Sequence, residues 1–425
     1  MKKRLKNRSA ISGGGMTKNI LWNTFGSIFY SGCQWLVTVI VVHVSAYADA
    51  GYLSLAMTMS SSFSAISLFS MRNYQVSDVK GEYSSGQYIS SRVWTCLGAF
   101  VSCAIFAAIG SSPEQMLCVD AFMLIRVAEA LSDVMHGVNQ SYNRYDYIGK
   151  SYILRGLATV VLFTGVLKLT NRLALTLFCV AGVNLLLSLF YDCRKTEKLD
   201  HYKVNVKDKA LVVLLKQCAP LVIFTFLLSL ENLIPKNVLE SLSGAEVLGI
   251  YSSIATPTLV VQVFAQVVFN PFIPKFSKTY YDGEVGKFRG LMRKTYLLLV
   301  GSCLVIPLCA MVVGRIFLKI LFGEYILQYY YLFMPIIFVT LCTGIVWILS
   351  AIVIMLRRIK VLLIGILIDF GLLAVLTAPM IRQFGSNGVS LVQLISLPIL
   401  IAFMIAIIEM TSWKRQKELS LGKTD

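Results

Sequence analysis

Twelve long apolar runs follow one another along the 425 residues, at 19–42, 48–70, 93–110, 116–140, 152–168, 173–192, 212–235, 247–270, 294–314, 331–356, 360–380 and 387–410. A helix of roughly 20 apolar residues crosses a bilayer core. Lipid offers the backbone no hydrogen bonds, so each run must satisfy its own N–H and C=O groups as a helix. Composition agrees: 14% of residues are charged and mean hydropathy is +0.71, whereas soluble domains carry about 25% charged residues. The expected fold class is an all-α integral membrane protein of about 12 transmembrane helices. The stretch 315–330 reads as an amphipathic external segment leading into the tenth span; an extension of the ninth helix is the other reading. No short apolar region with a small-residue cleavage site follows the basic start, so no cleavable signal peptide is expected.

Orientation follows from Lys and Arg. The connections on one side, with both termini, hold 30 of the 39, and those on the other side hold 6. Arg126, Arg155 and Lys216 fall inside spans. By the positive-inside rule the rich side is cytoplasmic, which places both termini in the cytoplasm. The net charge of +17 is then topology with some anionic-lipid contact, and no nucleic-acid partner is implied. The ten cysteines have no paired spacing and read as small apolar packing residues. The polar segment before Met16 is set aside from the fold, and Met16 is an alternative start.

The most charged long connection divides the chain into a cytoplasmic N-terminal segment (1–18), a six-helix bundle (19–192), a cytoplasmic linker (193–211), a second six-helix bundle (212–410) and a cytoplasmic tail (411–425). The halves echo each other. Asp49, Gly51 and Ser54 open the second span; Glu246, Gly249 and Ser252 open the eighth. Such repeats are a common transporter plan, although acids and Gly are also frequent at helix starts. Nine of the ten prolines lie from Pro220 onward, several within spans, where they kink helices.

The fourth span differs from the rest. It reads RVAEALSDVMHGVNQSYNR from Arg126 to Arg144. At about 100° per residue, Arg126, Glu129, Asp133, His136, Gln140 and Arg144 fall within an arc of roughly 80°. One ionisable group at the bilayer centre costs roughly 2.5–3.5 kcal/mol, so this stripe must face water or partner groups in the bundle. Glu129 and Asp133, one turn apart, would repel unless one holds a proton. Arg126 partly offsets Glu129, and His136 is placed to share a proton with Asp133. A cation or proton site beside a phosphate-binding cation is one reading; a buried salt-bridge network that fixes packing is the other. Glu231 in the seventh span and Asp369 in the eleventh are further ion-coupling candidates. Arg72 closes the second span and Arg155 opens the fifth, both on the basic side, as positive-inside residues or as phosphate ligands at an entrance. No P-loop, metal-ligand spacing or nucleophile elbow is present, so neither enzyme activity nor a cofactor is expected.

Two segments, Met71–Arg92 (MRNYQVSDVKGEYSSGQYISSR) and Arg126–Gly156 (RVAEALSDVMHGVNQSYNRYDYIGKSYILRG), resemble those of Wzx-type flippases of capsule and O-antigen repeat units. Leu242–Ser253 and the region around Gly385 and Gly388 are similar to the wider multidrug/oligosaccharidyl-lipid/polysaccharide exporter superfamily. The resemblance implies two six-helix bundles around a central cavity in the bacterial cytoplasmic membrane. It implies an undecaprenyl-diphosphate-linked oligosaccharide moved between leaflets by alternating access, coupled to a proton or sodium ion as in an antiporter. A polysaccharide polymerase and a chain-length regulator would be its partners. Arg126, Gln140, Arg72 and Arg155 would bind substrate, and Glu129, Asp133, His136, Glu231 and Asp369 would bind glycan or couple the ion. Acids outnumber fixed cations within the spans, which suits a cation-coupled multidrug extruder of the same superfamily as the alternative function.

Overall fold

The computed structural model describes residues 16–78, 82–258 and 273–421. The N-terminal segment before Met16 and the 259–270 part of the eighth span lie outside these. Twelve helices carry the spans: α1 Met16–Val44, α2 Tyr47–Leu68, α3 Ser85–Gly110, α4 Pro113–Ser141, α5 Tyr145–Thr170, α6 Leu173–Leu187, α7 Ala210–Ser243, α8 Ala245–Ala255, α9 Val285–Phe322, α10 Phe333–Met355, α11 Ile359–Phe384 and α12 Asn387–Leu421. Among the described residues, nine helices are long and apolar enough to cross a membrane. The others are α2, which is rich in Ser, α4 with its charges, and α8.

Two compact units are present, with the boundary between Ser229 and Leu230, inside α7. In the first unit α4 is the central helix, packed on α2, α3 and α6. In the second, α10 is central, packed on α8, α9 and α12. The pairs α3–α4, α4–α6 and α5–α6 recur as α9–α10, α10–α12 and α11–α12, so the faint echo in sequence is a repeat in packing. The two central helices differ in character: α10 is wholly uncharged, and α4 carries the polar stripe.

Span ends moved for physical reasons. The run 315–322 belongs to α9, and only Tyr325–Leu332 forms a separate 3₁₀ segment, so the helix-extension reading holds for the first half of that stretch. The 38 residues of α9 reach about 57 Å at about 1.5 Å per residue, well beyond a hydrocarbon core. Lys236, placed outside the seventh span by sequence, lies within α7. Helix α3 begins at Ser85, where Ser84 and Gln87 form a capping box, and so draws Arg92 into a helix. After α2, Phe69 and Ser70 both adopt left-handed backbone angles (φ 48° and 49°). This sharp turn starts the short helix Met71–Ser77 and returns Arg72 toward α4.

The linker after α6 is docked on α3. Ser85 donates to Asp200 (2.7 Å), Gln87 to Asp208 (2.8 Å), Trp94 to the Val206 carbonyl (2.9 Å), and the Asn205 amide to Ser90 (2.8 Å). Asp208 also accepts from the Ala210 amide at the start of α7 (2.9 Å). That bond and the Gln87 amide hold its carboxyl below the usual range.

Helices α1 and α5 meet backbone to backbone. A Cβ on Gly149 would collide with the Trp22 carbonyl, and one on Gly26 with the Gly149 carbonyl. Seven residues further along each helix, Gly156 receives the Cys33 side chain. Two heptad-spaced small residues on each helix therefore close this seam. Gly149→Val is expected to destabilise by at least about 1–3 kcal/mol through overpacking, lowering the thermal midpoint of detergent-purified protein. Gly165, with nothing within 4 Å of its Cβ position, should accept Ala without loss.

Candidate functional site

The stripe of α4 does not face a single environment. Its charges divide into three groups within the first unit, each closed by different helices.

The first group lies nearest the middle of α4. Arg126 pairs with Glu129 at 2.6 Å and donates to Ser61 of α2 at 3.0 Å. Tyr30 of α1 donates to the other Glu129 oxygen, and Gln34 donates to the Tyr30 hydroxyl at 2.8 Å. Phe122 lies beneath the guanidinium at 5.2 Å. Arg126, the cation that the resemblance marks for phosphate, is thus already matched by its own helix.

The second group is centred on Asp133. One oxygen lies 3.3 Å from Arg72 Nη1 and the other 3.0 Å from Arg92 Nη2. Arg72 also donates through Nε and Nη2 to the Gln140 amide oxygen, at 3.3 and 3.1 Å. Arg92 donates to the Ser67 carbonyl at 2.6 Å. The two segments that carried the family resemblance meet here. Arg72 and Arg92 come from the first, Asp133 and Gln140 from the second.

The third group is fully buried between α4, α5 and α6. Arg155 donates to Asp192 (2.9 Å), Ser188 (2.8 Å) and Asn184 (3.2 Å), and also to Ser132. His136 Nε2 lies 3.4 Å from Asp192. Here α6 widens into a π-turn over Ser188–Cys193, an inserted turn often found at functional sites. It is this turn that contains Ser188 and Asp192.

Three expectations change. His136 faces Asp192 rather than Asp133. Glu129 and Asp133 each have guanidinium partners of their own, which removes the repulsion expected between them. Arg155 does not sit at an entrance: it lies ten residues into α5, 1% exposed, in the middle of the third group. The charge balance changes with them. Within the three groups, four guanidiniums (Arg72, Arg92, Arg126, Arg155) face three carboxylates (Glu129, Asp133, Asp192), a local cationic surplus; Asp120, also on α4, lies outside them. Arg92 was missed because it flanks the third apolar run and was counted as a loop charge; Asp192 closes the sixth run, at the edge of the charged linker.

The second unit holds the other two acids. Pro235 in α7 has no N–H, so the Glu231 carbonyl four residues earlier loses its helical donor. Gln393 of α12 supplies one at 3.1 Å and reaches Asn232 Oδ1 at 3.5 Å. The Glu231 carboxylate is buried, and among the described residues neither of its oxygens has a hydrogen-bond partner. Asp369 of α11 is also buried, with one oxygen unpartnered among the described residues. Two buried carboxylates with unpartnered oxygens are the groups of this unit suited to a proton or a hard monovalent cation.

No family model matches the chain. A capsular polysaccharide biosynthesis protein of Staphylococcus aureus, CapF, is 26% identical over 321 residues, covering 73% of this chain and 78% of that protein. Among solved structures, the lipid II flippase MurJ in an inward closed conformation superposes with a TM-score of 0.68 at 15% identity, covering 93% of this chain and 90% of that one. The Vibrio cholerae MATE transporter VcmN superposes with a TM-score of 0.60 at 12% identity, covering 98% and 99%.

The third group yields a stability test. Asp192→Leu alone strands the Arg155 charge and should cost about 3–5 kcal/mol. The double replacement Arg155→Met with Asp192→Leu should recover roughly 2–3 kcal/mol of the summed single losses. A double-mutant cycle on thermal unfolding in detergent measures this, and simple additivity would contradict the pairing. The chain is thus similar in sequence to a capsule-biosynthesis protein and shares the fold of MurJ and the MATE transporters.

Proposed function

We propose that the protein is a flippase for undecaprenyl-diphosphate-linked oligosaccharide repeat units, moving them from the inner to the outer leaflet of the bacterial cytoplasmic membrane for capsule synthesis. The observation that carries this reading is the Asp133 cluster. Two guanidiniums from the first segment that resembles polysaccharide exporters converge on one carboxylate of the second, and Arg matches phosphate oxygens bidentately. The capsule relative and the lipid-carrying MurJ fold support the same substrate class. The positive-inside count would put the Arg72 end of the first bundle on the cytoplasmic side, where a lipid-linked unit is made.

In this reading Arg72, with Gln140, receives the diphosphate, and Arg126 and Arg155 shape the wall through their own ion pairs. Glu231 and Asp369 bind the coupling proton or sodium ion. Their buried, unpartnered oxygens are costly as bare carboxylates, and a proton or cation relieves that cost. Alternating access would tie ion entry to release of the glycan outside. A polymerase that joins the exported units would act next. The cation-coupled multidrug extruder is the second reading, favoured by the MATE superpositions and by the acids of the second unit.

Deleting the gene should abolish surface polysaccharide and accumulate lipid-linked repeat units on the inner leaflet, measured by lipid extraction and glycan analysis. Normal polysaccharide with altered drug sensitivity would favour the extruder. Glu231→Gln and Asp369→Asn should each lower export at least about tenfold, the loss of about 1.4 kcal/mol of coupling, and remove its dependence on the ion gradient. Gradient-dependent export at the wild-type rate in both variants would remove the coupling role.

A further inference from the structure

Asp133 occupies the position that an anionic ligand would take. Its oxygens are divided between two guanidiniums, one facing each. The arrangement has a closed side and an open side. On the closed side Arg92 is 0% exposed, tethered by the Ser67 carbonyl that also accepts from Thr95 at 2.9 Å. Its Nε has no partner among the described residues. On the open side the Arg72 and Asp133 side chains are 24% and 21% exposed. Apart from Asp133, Arg72 donates to the neutral Gln140 amide and to the Tyr152 hydroxyl. The local charge is two guanidiniums against one carboxylate, so the cluster is cationic even with Asp133 ionised.

A purely structural pair in a low-dielectric bundle would be matched one to one and closed to solvent. This one has a surplus guanidinium, an unused buried donor, and a face through which a ligand can approach. A carboxylate brings one charge to two guanidiniums; a diphosphate brings more, with oxygens spaced to engage both.

We propose that Asp133 is an internal competitor for the phosphate ligand. In the unloaded protein its carboxylate holds Arg72 and Arg92, and an incoming diphosphate displaces it from Arg72 first and then from Arg92. The inference rests on the lipid-diphosphate reading above and assigns regulation at that site. Its consequence is quantitative. The ligand binds with an affinity reduced by the fraction of time that Asp133 holds the clamp. On the outward side the same carboxylate reclaims the guanidiniums and helps expel the diphosphate. Arg92 becomes the anchor of the clamp and Arg72 its movable arm, consistent with its place one residue into a short helix that follows two left-handed residues.

The test uses full-length protein in lipid nanodiscs, titrated with inorganic pyrophosphate by calorimetry. Asp133→Asn keeps the shape and removes the competing charge. It should bind pyrophosphate at least about tenfold more tightly than wild type, and adding Arg72→Gln to it should abolish that gain. A merely structural Asp133 would give equal or weaker binding in Asp133→Asn, and that result overturns the proposal. Should Asp133→Asn fail to fold, Arg72→Gln in the wild-type background decides. About a tenfold loss of pyrophosphate binding is expected, and unchanged affinity overturns the proposal. Failure of the underlying flippase reading is visible separately: a gene deletion that leaves surface polysaccharide intact would sink that reading without altering the order of pyrophosphate affinities.

Discussion

A charge inside a helix bundle of hydrocarbon thickness must be matched, and the first half of this protein is arranged around that requirement. Helix α4 carries an arginine, two carboxylates and a histidine along a face of a single span. Every neighbour of α4 contributes a partner. Tyr30 from α1 and Ser61 from α2 complete Arg126 and Glu129; Arg92 from α3 and Arg72 from the short helix after α2 complete Asp133; Arg155 from α5 and Asp192 from α6 complete the innermost group. Breaking one side of a buried pair leaves a bare charge and costs far more than the pair contributes. The same need that fixes the packing of α1–α6 therefore also gathers four guanidiniums around one helix. Exposure separates these groups: the Arg155 group is sealed, whereas the Arg72 end is partly open.

The second half meets the same constraint differently. Its central helix α10 carries no charge, and the two acids sit at its margins on α7 and α11. Pro235 breaks one hydrogen bond of α7 at Glu231, and Gln393 restores it from α12. A chemical division between the halves follows. The first is cationic and suited to an anionic head group; the second presents carboxylates and is suited to a cation. A carrier that exchanges one for the other across a membrane needs both kinds of site.

Much of this could be read in the sequence because it rests on periodicity and count. Apolar runs gave the twelve helices, and the 3.6-residue period put the charges of α4 on one stripe. What could not be read were partners distant in sequence. Asp192 closes the sixth apolar run and lies in the π-turn into which α6 widens, for which Ser188–Cys193 has no compositional signal. Arg92 was legible in principle: Ser84 and Gln87 have capping-box spacing, and a helix begun there carries Arg92 two turns inside. Counting it as a loop charge left Asp133 without its buried partner. The pairing of His136 with Asp133 was drawn from spacing along one helix, and tertiary packing supplied a nearer acid from another.

The central claim is that this chain carries a diphosphate-linked glycan across the membrane through an arginine clamp, Arg72 and Arg92, that closes on Asp133 of α4. Its most direct measurement is transbilayer movement in proteoliposomes, read as the rate at which undecaprenyl-diphosphate-linked oligosaccharide loaded in one leaflet becomes accessible to a lectin on the other side. The account predicts movement well above that of protein-free liposomes under an imposed ion gradient, with loss of most of that rate in Arg72→Gln. Movement no faster than in protein-free liposomes, or a wild-type rate in Arg72→Gln, would contradict it.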